Sequence, residues 1–322
     1  MSGNLRAPFP WFGGKSLIAA AVWEALGDVP NYVEPFFGSG AVLLARPHAP
    51  RIETVNDLDG MVCNFWRAVR AAPEEVAKHA DWPVIEQDLH ARHQWLVDRR
   101  DSLSEALSQD PEFYDAKTAG WWVWGACAWI GSGWCREISK KLPHLGGAGR
   151  GINKQLPHLG DAGRGINKQL PHLGSAGRGI NSIGAHTEWF RELSARLRRV
   201  RVASGDWSRV VTDSVTWRNG TTGVFLDPPY AEGNQQYASG GTGTDLSACV
   251  REWAIEHGTD PRFRIVLAGL EGEHVLPAAW RVVEWKARSG YGSEENINRK
   301  RERLWLSPHC EGARQLSLGG VV

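Results

Sequence analysis

The stretch Gly223-Val224-Phe225-Leu226-Asp227-Pro228-Pro229-Tyr230 decides how this chain is read. The apolar run Gly223 to Leu226 has the composition of a buried strand, and a Gly-rich segment follows the tetrapeptide. Two prolines after an acid can neither extend a hydrogen-bonded ladder nor continue a helix interior, so they make a stiff corner at the strand's carboxyl end. With no N–H of their own, the prolines leave carbonyl acceptors beside the Asp227 carboxylate and the Tyr230 ring. That set suits a planar group bearing an exocyclic amino group, which donates two hydrogen bonds and stacks on an aromatic face. A surface Tyr after an ordinary Pro-rich turn is the plain alternative, and the remaining segments bear on the choice.

Upstream, Tyr32-Val33-Glu34 leads through Pro35-Phe36-Phe37-Gly38-Ser39-Gly40 into Ala41-Val42-Leu43-Leu44. This reads as strand, Gly turn and helix, the first unit of a doubly wound sheet whose ligands sit at the strands' carboxyl ends. Leu43 stands where a dinucleotide fingerprint needs its third glycine. A nucleotide-like ligand without a pyrophosphate fits better, S-adenosylmethionine among them. Ile52 to Asp57 is the next strand, and Asp57 sits where a carboxylate can accept from both hydroxyls of a ribose. Arg201 to Asp206 is another strand ending in an acid, with Trp207 next to it; Asp206 can accept from an adenine amino group. At the start, Trp11-Phe12-Gly13-Gly14-Lys15 forms a loop offering a flat face and a charge, and Ser16 is expected to cap a helix running to about Leu26.

From Pro73 the character changes to helical segments at about 84–108 and 111–130, rich in tryptophan. A repeat of fourteen residues follows: Leu142 to Gln155, Leu156 to Gln169 and Leu170 to Asn181, each containing Ala-Gly-Arg-Gly-Ile-Asn. Over 140–181 the cations Lys140, Lys141, Arg150, Lys154, Arg164, Lys168 and Arg178 face a single acid, Asp161, in a chain whose formal net charge is +1. Gly-Arg-Gly loops beside Asn and Gln suit phosphate contacts and base-edge readout. A recent tandem duplication that only lengthens a loop is the competing account of the extra copies.

In their order these motifs resemble the Dam-like (D12 class) family of S-adenosylmethionine-dependent DNA adenine-N6 methyltransferases of bacteria and phages. The resemblance rests on Trp11 to Lys15, Glu34 to Gly40, Asn56-Asp57, Ser204 to Trp207 and Asp227 to Tyr230. It implies that Trp11, Lys15, Glu34, Phe36, Gly38, Gly40, Asp57, Asp206 and Asp227 surround the cofactor, and that Asp227, Pro228, Pro229 and Tyr230 hold the target base. It implies a doubly wound, Rossmann-like α/β catalytic domain built from 1–72 and 186–322. An inserted, mainly helical target-recognition region would then occupy 73–185. Double-stranded DNA is the expected partner; no metal is suggested by the residues. An N4-cytosine methyltransferase or a catalytically silent DNA-binding protein on the same scaffold are the alternatives.

The five cysteines show no CxxC pairing, so reduced thiols are expected. The start has no signal-like apolar region, and no segment is long and apolar enough to span a bilayer, which together favour a cytoplasmic protein.

Overall fold

The structure is a computed structural model and describes residues 5–11, 15–129, 134–135, 185–229, 243–284 and 302–312. The three repeats, Tyr230, the Gly-rich segment after it, and Gly13-Gly14 lie outside the described residues. By its contacts the chain forms two units, one of residues 1–12 and 60–198 and one of 13–59 and 199–322.

The second unit is built on a seven-stranded sheet. In chain order the strands are β1 (Asn31–Glu34), β2 (Ile52–Asp57), β3 (Val200–Ser204), β4 (Thr222–Leu226), β5 (Phe263–Leu270), β6 (Arg281–Glu284) and β7 (Glu302–Leu306). Their spatial order is β3-β2-β1-β4-β5-β7-β6. Neighbours from β3 through β5 run parallel, while β7 lies antiparallel between β5 and β6. β1 and β4 are buried at every position, as expected of central parallel strands covered on both faces. Helices α1 (Ala19–Leu26), α2 (Ala41–Leu44) and α8 (Gly243–Gly258) complete this unit, with α1 and α8 packed on β5.

Two buried polar groups fix the centre of the sheet. Asn31 donates from Nδ2 to the carbonyls of Val215 and Thr216 and to the Thr222 hydroxyl, joining β1 to the segment that enters β4. Arg46 is enclosed with Glu53, Nη1 to Oε1 3.0 Å, and donates from Nη2 to the Val29 carbonyl at 2.7 Å. A buried charge needs such partners, because desolvation would otherwise cost several kcal/mol (about that order for one ion).

The first unit is helical: α3 (Gly60–Ala71), α4 (Pro73–Ala80), α5 (Glu86–Gln109), α6 (Ala116–Ala128) and α7 (Ala185–Leu197). α3 packs on α5, α6 and α7, and α4 packs on α6 and α7. Phe65 of α3 lies edge-on to Phe9 and Phe190, and Phe9 lies edge-on to Trp122, so one aromatic core joins these helices. Asn64 and the Asp115 backbone exchange two hydrogen bonds of 2.9 Å, and the Asp115 side chain caps α6 through the Thr118 amide. Arg67 donates to the carbonyls of Leu107, Asp110 and Phe113, which closes the α5–α6 connection. The Arg92 guanidinium sits over the faces of Trp82, Trp121 and Trp124 at 4.3–5.0 Å.

Several local expectations shift. Ser16 does not cap the first helix: a short 3-10 turn, Lys15–Leu17, precedes α1, and Ile18 stands at the N-cap with no side-chain bond. α4 adds a helix to those expected from the sequence, and Pro73 at its first turn with Glu74 and Glu75 behind it is a helix-start signature. The expected segment 111–130 begins only at Ala116, after the Asp110–Asp115 connection. The boundaries drawn at 72/73 and 185/186 separate α3 and α7 from the other helices. By contact they group with them, because their apolar faces meet α4 and α6.

Candidate active site

Four of the sequence motifs lie at carboxyl ends of the parallel strands in the sheet unit. Going from β1, the chain steps outward to β2 and β3 and then returns to place β4 on the other side of β1. Between β1 and β4 the order therefore reverses, and such a switch point opens a crevice beyond the strand ends. Glu34 closes β1, Asp57 closes β2, Asp206 follows β3, and Asp227 follows β4.

The turn after β1 is shaped by two glycines with positive φ, Gly38 at 50° and Gly40 at 69°. Side-chain Cβ atoms disfavour that region. The turn is held from below by the end of β2. The Gly38 amide donates to Asp57 Oδ2 at 2.8 Å, and the Phe37 amide donates to the Asn56 carbonyl at 2.9 Å. Asn56 Nδ2 donates to the carbonyls of Pro35 and Gly205, and the Gly205 amide donates to the Asp57 carbonyl. The pair Asn56-Asp57 thus ties together the turns that follow β1 and β3. The other Asp57 oxygen accepts from the Asp59 amide at 2.9 Å. Desolvation raises the Asp57 pKa to about 6, against the pull of these amides and with the Asp59 charge adding to the rise.

Glu34 is almost fully enclosed, 2% exposed, and accepts from the Tyr32 hydroxyl at 2.9 Å. Burial pushes its carboxyl well above the ordinary range, the Tyr32 bond opposes this, and the Asp227 charge adds to it. Burial likewise raises the Tyr32 hydroxyl, helped by the Glu34 charge. Glu34 therefore sits beneath the turn rather than open to solvent.

Asp227 emerges from β4 with its Oδ1 3.1 Å from the Lys15 ammonium, both side chains mostly shielded from water. Burial raises the Asp227 pKa; Lys15 counters it through its charge and its hydrogen bond, and the Glu273 charge raises it further. Pro228 is buried and Pro229 half-buried. Glu273, which the sequence reading did not single out, is held in turn by the Ser247 hydroxyl at 2.8 Å and the Leu270 amide at 2.9 Å. Its only sequence signal is an acid in the turn after β5.

Asp206 is exposed and caps the short 3-10 turn Trp207–Val210, accepting from the Ser208 amide at 2.9 Å and from the Ser208 hydroxyl. Beside it, the Trp207 and Phe36 rings lie 26° from parallel with centroids 6.3 Å apart. In one unit the structure thus holds Lys15, Glu34, Phe36, Gly38, Gly40, Asp57, Asp206 and Asp227 around neighbouring strand ends. Trp11 belongs to the helical unit, where it packs against Phe9 and Trp122. Tyr230 and the cations Lys140, Lys141, Arg150, Lys154, Arg164, Lys168 and Arg178 lie outside the described residues.

The strand-end carboxylates, the Gly turn without a third glycine and the corner after β4 are the elements on which the sequence motifs converge. Residues 11–112 match the family of D12 class N6 adenine-specific DNA methyltransferases. The matched span holds Trp11, Lys15, Glu34, Phe36, Gly38, Gly40 and Asp57; Asp206 and Asp227 lie beyond it and rest on their positions in the sheet. No curated protein gives a significant match to the chain. Among the described residues no His, Cys, Asp and Glu cluster is arranged to hold a metal ion, and no helix is long and apolar enough to cross a membrane.

Proposed function

We propose that this chain is a site-specific DNA methyltransferase that transfers a methyl group from S-adenosylmethionine to N6 of an adenine flipped out of duplex DNA. The reading is carried by Asp227, an acid followed by two prolines at the carboxyl end of β4, beside the switch point and paired with Lys15. The family match over 11–112 supports it.

The residues present suit S-adenosylmethionine. Asp57 offers a carboxylate at the end of β2 for ribose hydroxyls, and the Asn56 Oδ1 is buried without a hydrogen-bond partner. Phe36 and Trp207 bring two aromatic rings near the adenine acceptor Asp206. Leu43 in place of a third glycine suits a ligand without a pyrophosphate. When bound, this cofactor supplies a methyl group on a positively charged sulfur.

The protein's own residues then act on the base. Adenine N6 is a poor nucleophile because its lone pair is delocalised into the ring. Asp227 and the Pro228 carbonyl would each accept a hydrogen bond from N6, which favours a tetrahedral nitrogen whose lone pair attacks the methyl carbon. The sulfur–methyl bond breaks with its electron pair staying on a neutral thioether, and the methylated nitrogen then releases one proton to Asp227 or to solvent. Tyr230 stacks on the extruded ring. Lys15 favours the ionised form of Asp227 against the upward push of burial, and the ionised form is the stronger acceptor. Rate acceleration comes from positioning and fixed charges.

The sheet unit would carry cofactor binding and chemistry, and the helical unit with the basic repeats would carry target recognition. The test is incubation with labelled S-adenosylmethionine and mixed-sequence duplex DNA, then digestion and mass analysis of the nucleosides. N6-methyladenine is expected. N4-methylcytosine would overturn the base assignment, and cofactor binding with no methylated nucleoside would overturn the enzyme assignment.

A further inference from the structure

Arg191, Arg196, Arg198, Arg199 and Arg201 fall within eleven residues that contain one acid, Glu192. The first three of these cations lie on or just after α7, whose Trp189, Phe190, Leu193 and Leu197 are buried. The polar face of the same helix borders a concavity of about 460 Å³ lined by Arg70, Pro73, Arg191, Ser194, Ala195 and Arg198, all in the helical unit. The lining holds three guanidinium groups and no carboxylate.

The arrangement is built rather than incidental. The Ser194 hydroxyl donates to the Arg70 carbonyl at 3.0 Å, which ties α7 to the last turn of α3. Glu74, at the start of α4, accepts from Arg191 Nε at 2.7 Å and orients it, with Glu188 3.6 Å from Nη1. Among the described residues Arg70 and Arg198 have no carboxylate partner. Their places at helix carboxyl ends complement the helix dipoles. That accounts for each cation separately, and not for two of them converging with Arg191 on one hollow. Like charges gathered this way repel unless an anion sits between them, and the planar guanidinium fork matches a phosphate's paired oxygens. With no aromatic ring in the lining, the hollow has nothing on which a base would stack.

We propose that this concavity seats a backbone phosphodiester of duplex DNA, as a sequence-independent anchor of the helical unit. The inference rests on DNA being the substrate, and the test separates the two. Duplex binding by the full chain and by the R70Q/R198Q double variant is followed by fluorescence anisotropy over a salt series. The salt slope of log K is expected to shrink by about 0.9 for each phosphate that is no longer neutralised, equally for methylatable and unrelated duplexes. Arg-to-Lys replacements at the same positions should retain most of the slope. Circular dichroism and melting verify the fold, and the single R198Q change, outside the helix, serves if the double variant melts early. Wild-type-like slope and affinity in a folded variant would overturn the inference while leaving the substrate reading intact. A loss confined to one DNA sequence would overturn it too. A wild-type chain that binds no duplex at low salt would overturn both.

Discussion

The Lys15 ammonium lies 3.1 Å from the Asp227 carboxylate, joining the N-terminal segment to the corner after β4. Because the pair is largely shielded from water, its charge interaction is stronger than at a surface. Lys15 holds the Asp227 pKa down against burial and the Glu273 charge. Replacing Lys15 with Met therefore raises that pKa, and the acidic limb of the activity profile should move to higher pH. Asp227→Ala should lower methyl transfer by about a hundredfold or more, the scale for losing one preorganised group, with the fold retained. Steady-state rates over a pH series check both; an acidic limb unmoved by Lys15→Met would mean that Asp227 does not govern it.

Asp57 makes two pH predictions of opposite sign. Its folded pKa of about 6 lies above the ordinary carboxylate value, so the folded chain takes up the proton more readily than the unfolded chain. Its contribution to stability is fully present below about pH 4 and is lost as pH rises through about 6. Binding of the cofactor product S-adenosylhomocysteine should instead strengthen over that rise, since the charged carboxylate is the better acceptor for ribose hydroxyls. Calorimetry and melting at several pH values measure the two trends, and Asp57→Asn should flatten both. Affinity independent of pH in the wild-type chain would remove Asp57 from the ribose site.

Gly38→Ala places a Cβ on a residue with φ of 50°. The strain costs about 1–2 kcal/mol, and it falls on the turn whose amide binds Asp57. A lower denaturation midpoint together with weaker cofactor binding is expected. Unchanged binding would show that the turn's shape is not what the ligand needs.

Arg46→Ala strands the Glu53 carboxylate, whose side chain is fully buried, without its cation. Removing one partner of a buried pair costs about 3–5 kcal/mol, and this Arg also covers the Trp23 ring at 5.0 Å. Urea denaturation measures the loss. A double replacement of Arg46 and Glu53 by apolar residues should recover most of it.

The placement of four acids at strand ends was legible because strand ends can be read from local pattern, most clearly where Asp227 follows the apolar run of β4. Glu34, Asp57, Asp206 and Asp227 were found that way. What each carboxylate does was less legible, since its partners are distant in sequence. Asn56 reaches Gly205 across 149 positions, and Glu273 acts on Asp227 from the turn after another strand. Nor does local pattern tell that Glu34 is sealed under Tyr32, or that Trp11 packs with Phe9 and Trp122. α4 is only eight residues long, and its buried face is Val76, Ala77 and Ala80, too short a pattern to stand out from a connection. α3 and α7 were grouped by neighbourhood in sequence, whereas their apolar faces pack against the other helices.

The sheet also sets an order of assembly in time. Asn31 of β1 and Thr222 of β4 bond across 191 positions, so during synthesis β1 emerges long before its neighbour β4 exists. The helices from Gly60 onward make mostly nearer contacts and can form in the interval, since short-range structure closes faster than long-range pairing. In pulse-labelled hydrogen exchange during refolding, amides of α5 and α6 should gain protection before those of β1. Until residue 226 has been made, the nascent chain carries an unpaired apolar strand edge. That interval is when this protein is most exposed to aggregation.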